Sequence, residues 1–252
     1  MNILLWLRYK GTNYAGFQVQ PNGLTVCEAL QDAMQAVLRE RPDVKGCSRT
    51  DAGVHALQFA LNFHYEGRMP IEKMPLAFNT HLPPDIRVTA AQQVPEDFHA
   101  RYAAHEKTYE YRILNARIED PFTFDTCHRV AGKLDENAMQ RAADALVGTH
   151  DFSALCASGS SAAAHGDTVR TISQCTVRRD GDHVSITVTA DGYLYNMVRI
   201  LAGTLVEAGQ GRLDPAAVPG ILESRDRRLA GPTLPAKGLL LQRVHYPQFP
   251  AP

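Results

Sequence analysis

The sequence predicts an α+β protein made of two halves of similar element content. Three observations carry that prediction. Apolar and polar residues alternate over short runs such as Leu57–Tyr65 and Tyr109–Ile113, the two-residue period of a half-buried strand. Apolar residues recur at helical spacing behind capping residues at Thr25 and Asp135. The same mixture occurs in residues 1–104 and again in 105–252, which sets the expected boundary between the halves.

Taken in order, Ile3 to Tyr9 holds Trp6 and a β-branched residue before Gly11, so it reads as a strand ending in a turn. Thr25-Val26-Cys27-Glu28 is a capping box, and Val26, Leu30, Ala33, Met34, Val37 and Leu38 place one apolar face on a core. That helix is expected to end near Arg41-Pro42. In Leu57 to Tyr65, the residues Leu57, Phe59, Leu61, Phe63 and Tyr65 should face inward and Gln58, Asn62 and His64 outward. Gly46 to Ala56 then lies in the connection before that strand. Thr108 to Ile113 alternates in the same way, so a strand starts near Lys107, and Ala103 to Glu106 reads as the crossing between halves.

In the second half a helix is expected from Asp135 to Val147, capped by Asp135, stapled by Leu134 and Met139 and stopped by Gly148. Ile172 to Arg178 and His183 to Ala190 flank Arg179-Asp180-Gly181-Asp182 as a hairpin, with Val184, Ile186, Val188 and Ala190 on its buried face. Leu194 to Ala208 reads as an apolar helix and Leu239 to Tyr246 as a closing strand. Ala157 to Gly166 is small-residue chain with little to bury and is expected to be a mobile loop.

Composition narrows the classes. A chain of 252 residues with 44% hydrophobic content can build a sizeable core. No run approaches the 18 or so apolar residues of a membrane span, and the start lacks the pattern of a signal peptide, so a soluble cytoplasmic protein is expected. The five cysteines are widely spaced with no CxxC pair, which fits reduced, buried thiols rather than a disulfide framework or a zinc site. A formal net charge of -1 supplies no global attraction to nucleic acid, so any such binding must come from a local cleft. Arginine outnumbers lysine 20 to 6, and arginine is the better planar fork for phosphates and stacked bases.

The most unusual stretch is Arg49-Thr50-Asp51-Ala52-Gly53-Val54-His55-Ala56, a carboxylate set between a guanidinium and a small-residue turn just before a strand. From the residues alone two readings stay open. Asp51 caps its own backbone in a plain turn with Arg49 paired to it, or the loop presents Asp51 into a cleft.

The stretch resembles the catalytic loop of the TruA-type tRNA pseudouridine synthases, usually written GRTDAGVHA, with Ser48 where a glycine is usual. Further matches follow in order along nearly the whole chain. They are Tyr9-Lys10-Gly11 with Tyr14 to Gln20, Asn79 to Ile86, Phe98 to Arg101, Lys107 to Arg112, Gly148 to Ser153, Val169 to Ile172, and Gly192 to Arg199. Lys107-Thr108 stands where two basic residues are common, which would remove one phosphate contact. The resemblance implies two α+β halves, each an antiparallel sheet with helices on one side, with the active-site cleft at their junction. It implies isomerisation of uridine to pseudouridine at positions 38, 39 and 40 of the tRNA anticodon stem-loop, by a homodimer without cofactor or metal. It assigns Asp51 as covalent nucleophile, Tyr109 as the ring stacked on the target base, Arg199 as the cationic partner of the carboxylate, and Arg49 as the side chain that helps extrude the nucleotide. His55 is expected to pack the loop rather than act as an acid. The Arg225-Asp226-Arg227-Arg228 cluster is either a solvated helix end or a phosphate contact.

Overall fold

The computed structural model describes residues 1–159 and 161–251. In chain order its elements are β1 (Asn2–Tyr9), α1 (Val26–Leu38), β2 (Lys45–Gly46), β3 (His55–His64), α2 (Met74–Asn79), β4 (Ile86–Val94), β5 (Glu106–Leu114), β6 (His128–Arg129), α3 (Glu136–Asp144), β7 (Gly148–Asp151), α4 (Ser161–Ala164), β8 (Val169–Asp180), β9 (His183–Ala190), α5 (Met197–Gly209), α6 (Val218–Ser224) and β10 (Leu239–His245). This is the expected α+β class. The chain forms two compact units, Met1–His105 with Leu241–Pro252, and Glu106–Leu240.

In the first unit the strand order is β4-β1-β3-β10, with β2 on β3. β1 pairs antiparallel with both β3 and β4. Thr25 caps α1 as the sequence indicates, its side chain accepting from the Glu28 N–H, and Val26, Leu30, Ala33 and Met34 are buried. The helix stops at Leu38, earlier than Arg41-Pro42, because Arg39 turns left-handed at φ 65. The rings of Phe17 and Phe59 stack at 4.2 Å, and Tyr9 leans on Phe59 at 5.6 Å.

β3 departs from simple alternation. Leu57 is 45% exposed whereas Asn62 is 2% exposed. Asn62 can be buried because its amide is satisfied: it donates to Asn2 Oδ1 at 2.9 Å and to the Phe98 carbonyl at 3.1 Å, and accepts from the Ala100 N–H at 2.8 Å. The polar residue therefore fastens the 95–100 segment to the sheet.

In the second unit the order is β5-β9-β8-β7, with β6 parallel on β5. Asp135 caps α3, accepting from the Asn137 and Ala138 N–H groups. The helix ends at Asp144, short of the expected Val147, and Gly148 (φ 115) opens β7 instead of stopping the helix. β8 and β9 form the expected hairpin, tighter than expected: Asp180 pairs with His183, leaving Gly181-Asp182 as the turn. Val184, Ile186, Val188 and Ala190 are buried as expected. α5 begins at Met197 rather than Leu194, behind a left-handed Asn196 at φ 58. Of the stretch expected to be a loop, Ser160 lies outside the described residues and Ser161–Ala164 forms one short helical turn.

Candidate active site

Backbone groups make several of the bonds that fix the loop following β2. The Cys47 N–H donates to the Ala60 carbonyl at 2.8 Å, extending the pairing of β2 with β3. Thr50, 8% exposed, is tied at both ends. Its carbonyl accepts from the Phe17 N–H at 3.1 Å, and its hydroxyl meets the Tyr9 hydroxyl at 2.8 Å. A turn closes next, with the Val54 N–H on the Asp51 carbonyl at 3.2 Å and the Gly53 N–H on the Tyr14 carbonyl at 3.3 Å. Val54 and His55 are then buried as β3 begins.

The partner of this loop is the segment after β1. Gly16 has φ 98, and a Cβ there would lie 2.6 Å from the Thr50 carbonyl oxygen and 3.3 Å from the Asp51 carbonyl carbon. Only glycine lets the two backbones approach this closely. Tyr14 is itself anchored, its hydroxyl donating to Asp85 Oδ1 at 2.6 Å while the Asn13 amide reaches Oδ2 at 3.2 Å. Burial, then the bond to Asp85, pushes the Tyr14 phenol far above the usual tyrosine pKa, so it stays a donor. The Asn79–Ile86 motif thus supports the Asp51 loop through Tyr14.

Asp51 is partly exposed at the tip of this rigid turn, and Arg49, two residues earlier, is exposed. Among the described residues the Arg49 guanidinium forms no hydrogen bond or ion pair, which removes the reading in which it is bound to Asp51. His55 is 5% exposed, and its Nδ1 accepts from the Gly11 N–H at 3.0 Å. That bond occupies the Nδ1 lone pair and makes His55 a clamp between the loop and the end of β1.

In the second unit Tyr109 sits on β5 opposite Val188 of β9 and is 6% exposed. Its ring stands perpendicular to that of Tyr193, centroids 5.0 Å apart. Arg199 lies in the first turn of α5, half-buried. Its Nε donates to the Leu234 carbonyl and its Nη1 to Asn196 Oδ1, each at 2.7 Å, so the guanidinium is oriented before any substrate arrives. Thr108 is buried and its hydroxyl meets that of Thr189 at 2.9 Å.

The cluster at 225–228 is turned onto its own chain. Arg225 pairs with Asp151 at 3.0 Å, Arg228 with Asp226 at 2.6 Å, and Arg227 Nη2 donates to the Thr233 hydroxyl at 3.2 Å. This favours the structural reading over a phosphate contact. All five cysteines are free and buried. Among the described residues no group of His, Cys, Asp or Glu is placed to hold a metal ion, and no helix is long and apolar enough to cross a membrane. The supports through Tyr14 and Asp85, and the contact of Tyr193 with Tyr109, carry no signal in residue spacing, because their partners are far apart in the chain or across strands.

Fold and loop together define an α+β enzyme in which a carboxylate stands on a turn fixed by its neighbours' backbones. The family model described as tRNA pseudouridine synthase matches residues 6–103 and 142–247. Among curated relatives, a tRNA pseudouridine synthase A of Thermoanaerobacter sp. (strain X514) is 44% identical over 97% of this chain and 99% of its own length. That of Moorella thermoacetica is 46% identical over 95% of this chain and 97% of its own, and that of Caldicellulosiruptor saccharolyticus 43% identical over 97% and 99%. The chain belongs to the tRNA pseudouridine synthase family, whose members are isomerases. The matched stretches contain Asp51 and Arg199, and Tyr109 falls in the interval between them.

Proposed function

We propose that the protein isomerises uridine to pseudouridine in the tRNA anticodon stem-loop, at positions 38, 39 and 40, with Asp51 as covalent nucleophile. The observation that carries this reading is the Asp51 loop, anchored through Thr50, Gly53 and His55, in a chain of this family.

The reaction breaks the bond from uracil N1 to the ribose, rotates the detached base and joins the ribose to C5. The C5 proton is then removed and N1 gains one, so atoms and electrons balance without redox change. A nucleophile, a pocket for the detached base and a proton acceptor suffice, and the reading needs no cofactor. Asp51 supplies the nucleophile, attacking either the sugar carbon or the uracil ring. Tyr109 stacks on the base and takes part in the late proton transfer. Arg199 is the cationic partner that keeps the carboxylate ionised, and Arg49 helps extrude the nucleotide and fills the space it leaves. The stem-loop is read mainly through shape and backbone, by a homodimer acting in the cytoplasm.

Asp51→Ala is expected to abolish pseudouridine formation while tRNA affinity stays within a few-fold, since phosphate contacts supply most of the binding. The assay is single-turnover formation of pseudouridine on tRNA transcripts beside a direct binding measurement. Turnover above background in the variant would remove Asp51 from the chemistry.

A further inference from the structure

Tyr193 is placed to act on Tyr109 in two ways. Its ring stands at 85° to the Tyr109 ring with centroids 5.0 Å apart, the edge-to-face geometry in which aromatic pairs attract and fix each other's orientation. Its hydroxyl reaches the Lys107 carbonyl at 2.7 Å and the Val188 carbonyl at 2.8 Å. Lys107 lies two residues before Tyr109 on β5, and Val188 is the residue directly opposite Tyr109 on β9. One hydroxyl is therefore bonded both to the strand that carries Tyr109 and to the neighbouring strand paired with it. Burial, then the nearby Tyr109, holds the Tyr193 phenol well above the usual tyrosine pKa, so this clasp stays a donor across the working pH range.

We propose that Tyr193 is a positioning residue for Tyr109: its ring sets the plane of the Tyr109 ring, and its hydroxyl ties β5 at Lys107 to β9 at Val188, the residue opposite Tyr109. The proposal rests on the reading of Tyr109 as the ring that meets the target base. A ring that stacks on a free base must keep its plane while the base detaches and turns, and small errors in such placement slow a reaction far more than they weaken binding. The generic alternative, a tyrosine that only fills the core, would alter stability and leave the rate on bound tRNA alone.

The test is a double-mutant cycle between positions 193 and 109, read as single-turnover pseudouridine formation at saturating tRNA, with tRNA affinity and thermal midpoint measured for every variant. Tyr193→Phe keeps the ring and loses the clasp, and should slow the bound complex about 3-fold. Tyr193→Leu loses both and should slow it on the order of 10- to 100-fold, with affinity within about 2-fold. In a Tyr109→Leu background, slow but above detection, the Tyr193 substitutions should change the rate by less than about 2-fold, because the ring they position is gone. Should Tyr193→Leu not fold, Tyr193→Phe carries the same cycle alone. Equal slowing in both backgrounds, or an unchanged rate in the single variants, would overturn the assignment. A wild-type rate for Tyr109→Leu alone would instead remove Tyr109 from the reaction, a different and separable failure.

Discussion

Gly16→Ala perturbs the Asp51 loop without replacing any residue assigned to chemistry. Two costs can be worked from the structure. Gly16 has φ 98, where an L side chain is strained by about 1 to 2 kcal/mol. The added Cβ would lie 2.6 Å from the Thr50 carbonyl oxygen, so against the 3.0 Å that real Cβ atoms respect the loop must yield by at least 3.0 − 2.6 = 0.4 Å. The neighbour is backbone, and overpacking of this kind costs a further 1 to 3 kcal/mol or so. The sum, about 2 to 5 kcal/mol, is a large part of the roughly 5 to 15 kcal/mol that stabilises a folded domain. Since a misplacement of 1 Å can cost about 100-fold in rate, a shift of this size next to Asp51 should slow the chemical step on the order of 10-fold. Gly181→Ala is the control. Gly181 also has positive φ, 57, but nothing lies within 4 Å of its Cβ position, so it carries the backbone strain without the collision. Urea midpoints and single-turnover rates of both variants make the comparison. If Gly16→Ala is no less stable than Gly181→Ala and turns over at the wild-type rate, the close approach of the 14–17 segment does not fix the loop.

Arg199→Leu should lose activity at neutral pH and recover part of it as pH rises, while Arg199→Lys retains more. A nearby positive charge lowers a carboxylate pKa by about 1 to 3 units, so removing it moves the ionised fraction to higher pH; an unchanged profile between pH 5.5 and 9 would refute the pairing. Arg49→Ala should reduce the single-turnover rate more than it alters thermal stability, because its guanidinium has no partner among the described residues to lose. Destabilisation with a normal rate would reverse that order. The purified protein should sediment as a dimer at assay concentrations, and a fully active monomer would contradict the proposed assembly.

Much of the fold was legible because its signals are local. The capping box at Thr25, the cap at Asp135 and the alternation through Val184, Ile186, Val188 and Ala190 each lie within one short segment, and each element forms where its segment predicts. What failed depends on neighbours. Alternation in β3 considers only its own residues, but β3 lies between β1 and β10, and the 95–100 segment presents a carbonyl and an N–H that match the Asn62 amide. The position that periodicity sends to solvent is therefore buried, and Leu57 is exposed. Short elements such as α2 (Met74–Asn79) and β7 (Gly148–Asp151) span too few residues to show a period. Helix ends slipped where backbone geometry rather than composition decides, as at the left-handed Arg39. The candidate site divides similarly. Arg49 and Asp51 stand out in the sequence, whereas the Tyr9–Thr50, Tyr14–Asp85 and Tyr109–Tyr193 contacts join residues 41, 71 and 84 positions apart.

The loop also separates two mechanical demands that a base-detaching isomerase would face. Attack on a nucleotide needs a carboxylate whose position does not relax as charge shifts, whereas filling the space of an extruded base needs a side chain that can swing. Thr50 is the fixed point between the two, because its hydroxyl is held by Tyr9 and its carbonyl by Phe17. On one side of it the Asp51 backbone is closed into a turn with Val54; on the other, Arg49 is exposed and unpaired among the described residues. An ion pair between Arg49 and Asp51 would have to be broken before either could serve, at a cost added to the barrier. Tyr9, Gly11, Tyr14 and Phe17 anchor the loop without recruiting the Arg49 guanidinium, which stays able to swing while the Asp51 backbone is held.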